Sequence, residues 1–444
     1  MPLLQTSFAI SIVQEKKLAE KFMKMIKKEK LILNDPIAKH MVAQTGKHIL
    51  SFFPFSAFDY SFHIIDDDAF NAFAAPGANI FIYRGTIVSL DSIDELAGII
   101  SHEIAHAQSR HVSESIDRNK FINISSLAGM LAGALIGGNV GTDAGNAMIG
   151  GSMALGRTAM LSFTRKNETE ADEKGILFLK QSCFSEKGLL TGLMKIRAAD
   201  YLGVEKIPDY IKTHPGIGTR IAHVENILSK SSFSGKKAKC KDFQFDMIKY
   251  RLVGLHGDVD ATLNQLITKL EDDPLNGSFH YGLGIIYRRM FKYDKAFFHF
   301  KKALAIKTSN PIVLLEIGKT YLAQNKPQKA LNFLNGLDKN VATKLPARFF
   351  QAKAYFKLKK FNKAKKGFLF VIKRDSSLYP QAYYDIANIL SLERKKGLSH
   401  YYLGLYNFET RNKKAAKRHF LFAMKTLKDK KKIEKAKKLL DEIR

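Results

Sequence analysis

The sequence of 444 residues holds two cysteines, Cys183 and Cys240, and no C-x-x-C spacing. That excludes a cysteine-ligated zinc site and a thioredoxin-like redox motif. The two thiols are either a disulfide of an oxidising compartment or two buried free cysteines, and both readings stay open. The sequence also lacks a long apolar run. Its most membrane-like stretch, residues 124–138, has 15 residues, whereas a spanning helix needs roughly 20. A second such stretch, 144–155, follows after Asn139 and Asp143. Both are rich in Gly and Ala. They read as close-packed helices or a flexible flap, with dipping into a bilayer surface as the alternative.

Acidic residues are scarce. There are 42 Asp and Glu against 71 Lys and Arg, a net charge of +29. Apolar residues are 45% and charged residues 25%, ordinary for a globular protein, which excludes a wholly disordered or collagen-like chain. The charge is unevenly placed. Residues 1–30 carry net +4, residues 31–230 net −3 and residues 231–444 net +28. A near-neutral half is joined to a strongly basic one. We expect domains at 10–230 and 245–444, with residues 231–244 as linker.

The N-terminus lacks a basic n-region, because no Lys or Arg precedes Lys16. Residues 3–9 still lean apolar, and Ser7-Phe8-Ala9 has the small-x-small form of a signal cleavage site. The expectation is an exported, periplasmic protein whose signal peptide is truncated at the given start. A frayed N-terminus is the alternative.

The first half carries His102-Glu103-Ile104-Ala105-His106. Ser92-Ile93-Asp94-Glu95 reads as a capping box that opens a helix before it. On a helix His102 and His106 lie one turn apart on one face, the separation that two ligands of one zinc require. Glu103 stands beside them, placed to take a proton from a water that zinc activates. A third ligand is needed. The metzincin pattern would want Gly at 109 and His at 112, but Ser109 and Val112 stand there. A later helix offers carboxylates instead. Glu168 and Asp172 are four apart, so Glu168 can ligate while Asp172 hydrogen-bonds a ligand histidine. Glu170 and Glu173 read as solvated surface.

H-E-x-x-H followed by E-x-x-x-D resembles the gluzincin peptidases that include HtpX and the type-I CAAX prenyl proteases, and in particular their soluble, exported branch. Asn71-Ala72-Phe73-Ala74-Ala75-Pro76-Gly77, Arg110-His111 and Thr213-His214-Pro215 with Arg220 look like further motifs of that branch. The resemblance covers roughly residues 10–230. It implies one zinc held by His102, His106 and Glu168, with Glu103 as general base and then acid, and Asp172 orienting a ligand. It implies that His214 acts as a reversible fourth ligand or steadies the tetrahedral intermediate, and that Arg220 assists. A satisfied loop histidine and a surface ion pair are the plain alternatives for these two. Asn71, Ala72, Phe73 and Ala74 would meet substrate. The run 78–84 reads as a strand, either an exposed edge that pairs with an extended peptide or an ordinary core strand. The fold expected is mainly α with a small β-sheet.

The second half repeats with a period of 34. Gly284, Gly318 and Ala352 fall in one series, Tyr287, Tyr321 and Tyr355 in another, and Ala296, Ala330 and Ala364 in a third. This is the spacing of tetratricopeptide helix pairs and predicts an all-α solenoid. A further unit is expected around Tyr406 and Ala415, after one intervening helix. Residues 245–272 read as a degenerate first unit. Such stacks bind partners and do no chemistry. The same combination of domains in the family implies unfolded or misassembled protein substrates, and docking of the repeats at the outer-membrane protein assembly machinery. The lysine runs at 357–366, 412–418 and 425–438 suit an acidic protein surface or an anionic membrane surface. Their poverty in Arg and the absence of any nucleic-acid motif argue against nucleic acid. The function expected is a zinc metalloendopeptidase of envelope quality control. A chaperone-like assembly factor is the rival, and a scaffold with a dead hydrolase domain comes third.

Overall fold

A computed structural model of the chain describes residues 10–29, 31–53, 56–118, 163–201, 210, 213–230, 240, 244–306 and 308–443. The Gly/Ala-rich stretches at 124–155, the cleavage-site region at 3–9 and nearly all of the expected linker lie outside the described residues. The chain divides into two compact units, Met1–Leu33 with Ala38–Leu252, and Asn34–Ile37 with Val253–Arg444.

In the first unit, helix α1 (Ile12–Lys28) opens with a complete capping box, Ser11 and Gln14 each bonding the other's backbone N–H. Its Leu18, Phe22 and Ile26 recur at helical spacing and are buried. Helix α2 (Pro36–Leu50) follows. Then come strands β1 (Ser61–Ile65), β2 (Ala72–Ala75) and β3 (Asn79–Tyr83). The sheet order is β1-β3-β2, with β1 parallel and β2 antiparallel to β3. Every residue of β3 is buried. The expectation of an exposed edge at 78–84 is therefore corrected. That strand has a partner on each side, and β1 and β2 are the outer strands.

Helices α3 (Arg84–Ser89), α4 (Ile93–Gln108) and α5 (His111–Arg118) come next, then α6 (Arg165–Gln181), α7 (Lys187–Tyr201) and α8 (Ile217–Lys230). Helix α4 carries the H-E-x-x-H motif. Ser92 caps it through Glu95 N–H at 3.2 Å, but Glu95 reaches back to Asp91 N–H at 2.6 Å rather than to Ser92. The predicted box is thus shifted by one residue. Helices α6 and α7 both pack on α4. Glycine makes the second approach possible. A Cβ on Gly98 would sit 2.5 Å from Leu189 N, well inside contact distance. Cys183 and Cys240 form a disulfide, which resolves the alternative left open by the sequence.

Helix α9 (Phe245–His256) spans the division at Leu252 and α10 (Val259–Asp272) lies in the second unit; both stand where the degenerate unit was expected. Three helix pairs follow: α11 (Gly277–Arg289) with α12 (Tyr293–Ile306), α13 (Pro311–Ala323) with α14 (Pro327–Leu334), and α15 (Lys344–Lys357) with α16 (Phe361–Asp375). The small residues lie where the helices touch. A Cβ on Gly284 would meet the Phe300 ring at 2.4 Å, and one on Gly318 would meet Leu334 at 2.6 Å. Ala296, Ala330 and Ala364 are fully buried. Phe291, Asn325 and Lys359, again 34 apart, take left-handed backbone in the turn within each pair.

One helix, α17 (Pro380–Leu392), intervenes as expected before the pair α18 (Lys396–Glu409) and α19 (Lys413–Thr426), and α20 (Lys430–Ile443) follows. The register of that last pair differs from the expectation by one residue. Gly404 faces Phe420 as Gly284 faces Phe300, and Ala416 is fully buried while Ala415 is not. Counted from Gly404, the equivalents of Tyr287 and Ala296 are Asn407 and Ala416, not Tyr406 and Ala415. Among the described residues no helix is long and apolar enough to cross a membrane.

Candidate metal centre

His102, His106, Glu168 and His214 offer ligand atoms that all lie within 4.8 Å of one another, and all four side chains are buried. Helix α4 supplies the first two and α6 the third. His214 comes from the segment just before α8. His102 Nε2 lies 3.0 Å from His106 Nε2 and 3.4 Å from Glu168 Oε2. His106 Nε2 lies 3.3 Å from Glu168 Oε1. Gly175, two turns along α6 from Glu168, lets that helix settle against α4. A Cβ there would be 3.3 Å from His102 N.

The predicted outer partner is in place. Asp172 Oδ1 accepts from His102 Nδ1–H at 2.9 Å, which leaves Nε2 free to face the cluster. Arg220, expected to assist, contacts two carboxylates of the centre. Its guanidinium is buried and grips Asp172 with Nε at 2.8 Å and Nη2 at 2.7 Å, while Nη1 lies 2.7 Å from Glu168 Oε2. It ties the ligand carboxylate to the carboxylate behind His102. Burial alone would push Asp172 up, yet Arg220 and His102 hold it down at about 2. Burial, then Arg220, would lower His102. Asp172 and Glu168 outweigh both and raise it to about 9.

His214 is oriented from both sides. Its Nε2–H donates to the Ala72 carbonyl at 3.3 Å, and Nδ1 stands 3.1 Å from Glu168 Oε1 and 3.4 Å from His102 Nε2. Tyr210 stacks on its ring at 4.4 Å. It is therefore a fourth donor at the cluster, in contact with edge strand β2. Of the other residues predicted to meet substrate, Asn71 O accepts from Tyr83 N–H of β3. By alternation along the antiparallel pair, the backbone groups of Ala72 and Ala74 point to the free edge. Phe73 stacks on Phe81 at 4.8 Å.

Glu103 is fully buried, and neither carboxylate oxygen has a hydrogen-bond partner among the described residues. Burial pushes its carboxyl up, against the opposing pull of His214 and His102. A buried carboxylate with no donor is costly. A divalent cation at the adjacent cluster and a water beside it would satisfy it. Two imidazoles, one carboxylate and this orphaned base form the donor chemistry of a zinc site, so the residues present fit zinc.

Two contacts gave no clear signal in the sequence. His106 Nδ1 meets His111 Nδ1 at 2.9 Å, and Glu170, expected to be solvated, faces His111. Arg110, in left-handed backbone, pairs with Glu15 of α1 at 2.8 Å, and Glu15 also accepts from Ser113 Oγ and Gly77 N–H. The carboxylate thus clips α1 onto the turn after the zinc motif. Glu173 behaves as expected, exposed and paired with His223.

A helix-borne H-E-x-x-H pair joined by a glutamate from a following helix is the donor arrangement that gluzincin metallopeptidases use. Residues 36–228 match the model of peptidase family M48. Residues 289–369, within the helix pairs, match the model of anaphase-promoting complex, cyclosome, subunit 3. The chain is 27% identical to the beta-barrel assembly-enhancing protease of Escherichia coli (strain K12) over 332 residues, 73% of this chain and 66% of that protein. It thus spans just under two thirds of that relative's length. It is 28% identical to the mitochondrial metalloendopeptidase OMA1 of Schizosaccharomyces pombe over 212 residues, 47% of this chain and 58% of that one. The human mitochondrial metalloendopeptidase OMA1 matches at 25% over 179 residues, 40% of this chain and 34% of its own.

Proposed function

We propose that this protein is a zinc metalloendopeptidase that hydrolyses peptide bonds of misfolded or misassembled envelope proteins. The observation that carries this is the orphaned, fully buried Glu103 beside four convergent donor groups. His102, His106 and Glu168 would hold a zinc ion, which would supply Lewis acidity toward the scissile carbonyl and the attacking water. Glu103 takes the proton of the attacking water and delivers it to the leaving amine. Its raised affinity for protons suits both steps near neutral pH. Asp172 fixes the His102 ring, and Arg220 holds Asp172 and Glu168 in register.

An extended peptide would pair with the free edge of β2 through Ala72 and Ala74. Main-chain pairing reads little side-chain identity, which suits unfolded chains. His214 occupies the Ala72 carbonyl at rest, so substrate would displace that contact. The periplasmic setting draws on the relatives' role in β-barrel assembly, as their name states it, and on the disulfide Cys183–Cys240, a bond favoured in oxidising compartments. The helix pairs would recruit substrate or an assembly partner. Their basic surface suits an acidic protein or an anionic membrane, and that contact should weaken as salt rises.

The fourth donor favours a second reading, in which the site rests closed and the protein assists assembly without cleavage. Glu103→Gln separates the two. Casein digestion should fall by about 10²–10⁴-fold, while assembly assistance persists. Digestion at the wild-type rate would contradict the peptidase reading.

A further inference from the structure

The two ligand histidines of α4 are supported differently. His102 is backed by a carboxylate. His106 is backed by a second imidazole, and that imidazole has no role in the chemistry so far described. His106 Nε2 faces the cluster, so its Nδ1 carries the hydrogen and points away. It points at Nδ1 of His111, 2.9 Å distant. His111 must then present a lone pair at Nδ1 and carry its hydrogen at Nε2. That Nε2 faces Glu170 Oε2 at 3.5 Å. Glu170 is held in turn. Its Oε1 accepts from Ser109 Oγ at 2.9 Å and from Lys174 Nζ at 2.7 Å.

The turn after α4 makes this possible. Arg110 takes φ 56° and reverses the chain, so His111 returns beneath His106 although it opens a new helix. His111 is 2% exposed. Phe163 stacks on the other side of the His106 ring at 3.9 Å. Away from the cluster, the ring is therefore held by stacking on one face and by the hydrogen bond from Nδ1.

We propose that His111 is a positioning residue for zinc: it accepts the Nδ1–H of His106, fixing the tautomer and ring angle that direct Nε2 at the metal, and Glu170 fixes His111. This rests on the zinc reading above. The outer partner of a ligand histidine typically contributes about 10–100-fold to metal affinity.

The test is zinc affinity of the full chain, measured by competition with a chromophoric chelator and independent of catalysis. Asn places its Oδ1 near the position of His Nδ1, whereas Leu fills space without an acceptor. His111→Leu should bind zinc about 10–100-fold more weakly, and His111→Asn should recover most of that loss. If His111 only fills the core, Leu should serve as well as Asn. Wild-type affinity in His111→Leu, or equal weakening in both variants, would overturn the proposal. Glu170 is half-exposed, so Glu170→Ala keeps the fold safe should His111→Leu fail to fold. It should release zinc severalfold faster than wild type, and an unchanged release rate would overturn the Glu170 link. A wild-type chain that binds no zinc would overturn the zinc reading itself. Tight zinc in both wild type and His111→Leu would overturn this inference alone.

Discussion

The two units handle charge in opposite ways. In the first, His102, Glu103, His106, Glu168, Asp172, His214 and Arg220 are all buried and converge on one point. In the second, which holds nearly all of the +28 carried by residues 231–444, charges face outward. The buried ones there are separate pairs: Glu316 with Arg288 and Lys319, and Asp385 with Lys353. Such pairs hold helices together and offer no open donor set. Net charge therefore points away from the chemistry here. The near-neutral unit holds the reactive cluster, because buried charges must be balanced where they stand.

The largest break in that contrast should come from Arg220. Its removal strips the guanidinium from two buried carboxylates, Asp172 and Glu168, and leaves His102 to balance both. Arg220→Ala should destabilise the zinc-free first unit by about 3–5 kcal/mol, seen as a lower denaturation midpoint. Lys should restore little, because one ammonium cannot bridge both carboxylates in a fork. Zinc should offset part of the loss by neutralising Glu168.

Next comes acid. His63 of β1 is partly buried and stacks on Phe81 at 4.9 Å. Burial, aided by Lys39 and Lys27 and against the pull of an Asn79 hydrogen bond, lowers it to about 4 from 6.5. A lowered folded value means the unfolded chain binds the proton first. This stabilisation is complete above pH 6.5 and is lost as pH falls toward 4, on the order of 2–3 kcal/mol. Thermal melts of His63→Phe between pH 7 and 4.5 should show a shallower fall than wild type. An equal fall would place the acid sensitivity elsewhere.

The smallest effect sharpens the independence of the second unit. Gly284→Ala drives a Cβ into the Phe300 ring and should cost about 1–3 kcal/mol in the repeat unit. Casein digestion should be unchanged. Loss of digestion would mean that cleavage of casein requires intact repeats.

Much of the centre was legible from local spacing. His102 and His106, and Glu168 and Asp172, are each four apart on a helix, and helical geometry places such pairs without tertiary information. The repeat was legible because its small residues recur at 34. What escaped depends on contacts distant in sequence or on backbone sign. Strand order puts 78–84 in the middle of the sheet, and only long-range pairing decides that. His111 reaches His106 through the left-handed turn at Arg110, and no periodicity announces that turn. Arg220 was expected to assist or to form a surface ion pair, and its buried contacts to Asp172 and Glu168 depend on α8 packing on α6. The register error at Tyr406 had a signal. Gly404, aligned with Gly284 and Gly318, was the better anchor, because close helix approach constrains glycine more strictly than it constrains tyrosine.

The central claim is that the buried donors converge to hold one zinc beside a proton-transferring Glu103. Metal content of the purified full chain, measured alongside casein digestion, tests it most directly. Wild type should hold about one zinc per chain and digest casein; Glu103→Gln should keep the zinc and lose digestion; His102→Ala should lose both. A wild-type chain without zinc, or digestion that survives chelation, would contradict it.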